Sequence, residues 1–128
     1  MIRFVSKKVK FHYNFSIKKM KEIDERFVGT WKGTDEGRVE EFAVNHWVIS
    51  RTIKGEFFVE FKSVYLDGSV EHFSEKGIWY VKNNHYYEQR DSEETTDGYL
   101  FKILSSKTIH FQDLESDYYF TDHKMLLN

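Results

Sequence analysis

Among the side chains able to do chemistry, Arg51 is set apart by its spacing: Trp47, Ile49, Arg51 and Ile53 fall at every second position. On a strand, residues two apart share a face, so this pattern puts a guanidinium on an apolar wall. An unpaired buried charge is costly, so an inward Arg51 needs a carboxylate or the anionic group of a ligand. Glu88, between Tyr87 and Gln89, is one candidate partner. Two readings stay open. Either Arg51 sits near a strand end and reaches water, or it anchors an acidic group of a ligand at the mouth of whatever the strands enclose.

The other candidate binding residues are aromatic: Trp47, Phe57, Phe61, Tyr65, Tyr80, Tyr87 and Phe101. Phe57, Val59, Phe61 and Tyr65 alternate with Glu56, Glu60 and Lys62, which turns the odd set inward. Buried tyrosine hydroxyls require partners, so a tyrosine-rich lining favours water or a polar ligand over a dry core. Residues for catalysis are not apparent. There is no Walker A loop, no Gly-x-Ser-x-Gly elbow and no His-Glu-x-x-His. The six histidines are scattered along the chain. His110 and Gln112 share a face but do not make a metal site. No catalytic residue, metal ligand or cofactor is assigned.

These residues need a scaffold, and the chain punctuates one clearly. Lys54-Gly55, Asp67-Gly68, Asn83-Asn84 and Asp97-Gly98 carry the residue types that tolerate the positive φ of tight hairpins. Between them the spacing predicts strands over 28–34, 38–44, 46–53, 56–66, 69–82 (either whole or broken near 74–77), 85–91, 99–105, 107–113 and 117–123. Connections this short make neighbours antiparallel. The fold class is therefore mainly β, an up-and-down meander. Closure into a barrel of about eight strands removes the exposed edges that an open sheet would leave, and a sheet curled around a helix is the rival geometry. Ahead of the meander, Ser16 stands at an N-cap position, and Ile17, Met20, Ile23 and Phe27 follow at helical spacing, predicting a short amphipathic helix over 17–27.

Composition bounds the rest. The 128 residues include 23 aromatics, no Pro and no Cys. One domain is the limit at that length. Disulfides, thiolate metal sites and cysteine nucleophiles are excluded, and a reducing, cytoplasmic setting is the simplest expectation. No apolar h-region or 18-residue apolar span occurs. The formal net charge of -2 hides an asymmetry, because residues 1–26 carry eight basic and three acidic side chains (+5), leaving -7 for the remainder. A basic arm over 1–15 therefore precedes the barrel unit of 16–128. Within it Val9, Phe11, Tyr13 and Phe15 alternate with polar residues. This suits an added strand, docked on the acidic body or paired across a two-fold axis in a homodimer, better than a nucleic-acid platform.

Phe27-Val28-Gly29-Thr30-Trp31, with Tyr65-Leu66-Asp67-Gly68, Gly77-Ile78-Trp79-Tyr80-Val81 and Tyr86-Tyr87-Glu88 downstream, resembles small bacterial lipocalin-like (calycin) domains of unassigned function, over residues 27–123. The resemblance implies a barrel whose tryptophan, here Trp31, packs at the closed end under the preceding helix. It also implies an arginine stacked on that ring late in the last strand. The chain has Lys124 or His123 there instead. Both Gly-x-Trp repeats, 29–31 and 77–79, are expected as corners. The functional expectation is non-enzymatic binding of a small, partly apolar molecule, such as an aromatic ligand. The alternative is an interaction module with a filled core.

Overall fold

The computed structural model describes residues 21–36, 42–93 and 95–126. Eight strands follow in order: β1 (Gly29–Glu36), β2 (Phe42–Arg51), β3 (Glu56–Tyr65), β4 (Val70–Lys82), β5 (His85–Arg90), β6 (Thr96–Ser105), β7 (Thr108–Asp113) and β8 (Tyr119–Lys124). Each pairs antiparallel with the next, and β8 returns to β1, so the meander closes into a barrel. Three of the four expected hairpin turns carry the required backbone, with φ of 84° at Gly55, 88° at Gly68, and 51° and 63° at Asn83 and Asn84. No helix among the described residues is long and apolar enough to cross a membrane.

Three expectations are corrected and one open choice is decided. The strands predicted over 38–44 and 46–53 are not separated at 45: β2 runs unbroken from Phe42 to Arg51, because Asn45 does not turn the chain, and residues 38–41 lie outside the described residues. Asn45 faces inward, opposite Asp35 on β1 and Ser63 on β3. Asp97-Gly98 is not a turn either. Both residues lie in β6, and Gly98 is needed for space: a Cβ there would come within 2.8 Å of the Tyr87 ring and of Leu114. β4 runs unbroken through 74–77, which decides between the two readings of 69–82, and β3 pairs with it from Val70 to Ile78. Finally, the helix predicted over 17–27 is absent from its described part. Glu22 is extended and exchanges two backbone hydrogen bonds with Val81, each 2.9 Å. Only a 3-10 turn, Glu25–Phe27, follows, capped by Asp24, whose carboxylate accepts from the Arg26 amide. The basic arm over 1–15, with its dimer expectation, and the cap at Ser16 lie outside the described residues.

That turn plugs one end of the barrel. Phe27, fully buried, drops between β4, β5, β6 and β7, where its ring meets Tyr86 at 5.2 Å and Phe101 at 4.9 Å. Burying such a ring stabilises the fold by roughly 1.5–3 kcal/mol. The Phe27 carbonyl accepts from the Trp31 indole at 2.9 Å, which ties the plug to the first strand. Lys124 lies over the same indole, its Nζ 5.6 Å from the ring centre, in the place where the resemblance called for an arginine. The second Gly-x-Trp repeat is a corner by close approach, since a Cβ on Gly77 would run into the Gln89 carbonyl of β5. At the far end β1 and β2 present Asp35 and Asn45 inward, and β6 presents Asp97.

Candidate functional site

Alternation decides which side chains meet inside. Odd positions of β1, β2, β3, β4, β6 and β7 and even positions of β5 and β8 face the interior, as their burial shows. Arg51 is therefore inward and only 2% exposed, which rules out the reading in which it reaches water. Its Nη2 contacts Asp122 Oδ2 at 2.9 Å, and its Nε donates to the Tyr86 hydroxyl at 2.7 Å. Tyr86 in turn donates to Glu88 Oε2 at 2.6 Å, and that carboxylate lies 3.8 Å from Arg51. The Trp47 indole donates to Asp122 Oδ1 at 2.7 Å. The guanidinium also lies over the Tyr86 and Phe111 rings, at 4.9 and 5.5 Å. One cation thus joins β2, β5 and β8 across the interior.

A second buried arginine organises the far end. Arg90 reaches Asp97 at 2.8 Å, Glu93 at 2.9 Å and Glu75 at 3.1 Å, the last without the alignment of a hydrogen bond. Glu75 shares this one guanidinium with two other acids. Burial, and then the nearby carboxylates of Glu93, Asp97 and Glu88, push its carboxyl up to about 7 despite the contact with Arg90. Desolvation and like charges both disfavour the ionised form.

The candidate binding residues divide between two faces. Trp47, Arg51, Phe57 and Phe61 are buried on the inner wall, and Phe61 stacks on Phe73 with centres 4.8 Å apart. Phe101 joins them, half-buried against Phe27. Tyr65, at the end of β3, is half-buried and donates to Glu71 at 2.6 Å. Tyr80 and Tyr87 sit on the outer face, stacked on one another at 5.2 Å, with the Lys21 ammonium 4.5 Å from the Tyr80 ring. His110 and Gln112 are outward too: His110 contacts the Thr121 hydroxyl, and Gln112 donates to the carbonyls of Ser116 and Tyr118. Among the described residues no three His, Asp or Glu side chains are grouped to hold a metal ion.

Sequence reasoning found Arg51 and named Glu88, but it missed Asp122, which makes the shorter contact. The available signal was the even alternation Phe120, Asp122, Lys124 on the last strand. It also missed Asn45, buried at 1% exposure, whose amide oxygen and nitrogen have no hydrogen-bond partner among the described residues.

The chain matches no protein-family model. No curated protein matches it significantly either.

Proposed function

We propose that this protein is a lipocalin-like barrel that binds a small, partly apolar molecule against its inner wall and catalyses no reaction. Trp47, Phe57, Phe61, Tyr65 and Phe101 supply the apolar surface, and the network around Arg51 supplies polar recognition at its base. Tyr80 and Tyr87 fall outside that wall. The observation that carries this reading is the cost of the interior. A barrel this size can be filled with hydrocarbon alone, and buried ion pairs are commonly no more stabilising than apolar side chains of the same volume. An interior that instead holds Arg51, Glu88, Asp122 and the Asn45 amide is better suited to recognition than to packing. Native mass spectrometry of protein from its source cell, before and after mild denaturation, tests the reading. A released small molecule is expected. Its absence, together with tryptophan fluorescence unmoved by fatty acids and aromatic compounds, would sink it.

A second reading, an interaction module working through its outer surface, is favoured by one observation. Phe58 and Ile78 are 50% and 41% exposed on the outer face. Phe58 borders a groove of about 660 Å³ that Lys76, Asp91 and Ser92 also line. Light scattering that finds a monomer at all concentrations, or self-association that Phe58→Ser leaves unchanged, counts against a second copy as occupant.

A further inference from the structure

The outer wall carries a row of donors. Partners in register run Lys62, His46 and Thr34 over β3, β2 and β1, then Thr121, His110 and Lys102 over β8, β7 and β6. The two halves mirror one another across the junction of β1 with β8, and register partners lie within side-chain reach of each other. One row along, Lys32 pairs with His123 across the same junction. Among the described residues, only Glu36, at the end of β1, is acidic at the outward positions of β1, β2, β7 and β8. Asp35, Asp113 and Asp122 face inward, and Glu60 stands opposite Val48 on β3. Lys32, Lys62 and Lys102 make no ion pair among the described residues. Such a face stands out on a body whose residues 27–128 sum to -7.

The junction itself is the independent pointer, because it opens in the middle of the row. Its ladder stops at Lys32 and His123, and the pair that would follow, Thr34 with Thr121, is not made. The Trp47 ring lies against Gly33 there, and the Thr121 carbonyl is directed at Gly33. The Met125 amide bonds the Thr30 carbonyl, and the Lys124 amide bonds the Lys107 carbonyl of the β7 side. Even residues of β1 and odd residues of β8 therefore turn their backbone groups to the junction, which leaves the Thr34 and Thr121 amides facing the gap. A groove of about 440 Å³ opens at this place, lined by Lys32, His46 and His123. Val48 and Tyr119, 38% and 46% exposed, are its apolar walls, and Trp47 and Phe120, each 1% exposed, close its floor. Amides at a sheet edge, joined by cationic and hydroxyl donors, form a seat for an anion. A cation would meet Lys32 and no carboxylate of the lining.

We infer that this groove is a second binding site, on the outside of the barrel, for a small oxyanion: a phosphate monoester or carboxylate on an apolar body. The head sits at Lys32, His123 and the amides of Thr34 and Thr121, and the body lies between Val48 and Tyr119. His46 borders the head, and Lys62 and Lys102 at the ends of the row add to the attraction at longer range. The closed floor separates this groove from the inner wall, so the site stands whether or not the interior takes a ligand.

NMR titration of the full chain with phenyl phosphate, benzoate, benzyl alcohol and benzylamine tests the site, because the four share a ring and differ in the charge of the head. The two anions are expected to shift the backbone amide signals of Thr34 and Thr121 along a saturable curve. Benzyl alcohol and benzylamine should bind at least roughly tenfold more weakly than the better anion, the worth of about one well-placed charge contact. Lys32→Gln should weaken that anion by a similar factor, and Lys32→Arg should restore most of the affinity. Lys32 is exposed, so neither variant disturbs the core. Thr34 and Thr121 signals that stay still with both anions at millimolar concentration overturn the site, as do shifts confined to the inner wall. Equal affinity for benzyl alcohol, or an affinity that Lys32→Gln leaves unchanged, overturns the oxyanion assignment.

Discussion

Among the described residues Arg51 and Arg90 are the two buried arginines, and they do different work. Arg51 lies among Phe27, Tyr86 and Phe111 and reaches a carboxylate 71 residues away in sequence. Its side chain and those of Asp122 and Glu88 are all fully buried. Arg90 gathers acids from its own neighbourhood, and two of them, Glu75 and Glu93, have side chains 16% and 39% exposed. Water screens part of the second cluster and none of the first. The comparison teaches that the same residue type is a rivet across the interior at one end and a clamp on local strands at the other.

Replacing each arginine by methionine should expose that difference. Arg51→Met leaves Asp122 and Glu88 as buried acids without their cation and should cost about 3–5 kcal/mol in urea denaturation. Arg90→Met should cost about 2 kcal/mol, since water can take over at Glu75 and Glu93 though less readily at Asp97. Equal losses would break the comparison. Tyr86→Phe sharpens it: the hydroxyl links Arg51 to Glu88, and removing it should cost about 1–2 kcal/mol, with no effect on the Arg90 cluster. A further effect is one of pH. Because the Glu75 carboxyl is raised from 4.5 to about 7, the folded state holds a proton that the unfolded chain releases earlier. Its contribution to stability is therefore complete below about 4.5 and is lost as pH rises through about 7. Glu75→Gln should flatten the fall in stability between those values, and an unchanged profile would show that Glu75 does not titrate there.

Local pattern carried much of the architecture and little of the wiring. Alternation in 56–65 was legible because each second residue faces water, and the turns at Gly55, Gly68 and Asn83-Asn84 were legible because few residues accept positive φ. The same logic misplaced Asn45 and Asp97-Gly98. A small or amide side chain has the same appearance in sequence whether it turns the chain, makes room for the Tyr87 ring or waits inside for a partner. Arg51 was legible as an anomaly among apolar residues, but Asp122 was not, because which residue lies across the lumen depends on the tilt of strands and on closure. Tyr80 and Tyr87 were assigned to the lining by residue type alone, whereas their register places them outside.

The join between β1 and β8 is short. Two register pairs close it, Trp31 with Lys124 and Lys32 with His123, supplemented by the bond from the Met125 amide to the Thr30 carbonyl at 2.8 Å. Beyond them, at Gly33, the Trp47 ring and the Thr121 carbonyl fill the space where a Cβ would stand. The neighbouring β2–β3 ladder has nine pairs and turns back within a few residues. Folding kinetics weigh these unequally, because the short ladder must first gather the two ends of the described chain and returns few bonds for that loss of entropy. Substitutions at Lys32 should accordingly give φ-values near zero and act on the unfolding rate, whereas those in the β2–β3 hairpin should slow folding. The barrel would then exist for part of its folding as a curled open sheet, and its circle would be completed last.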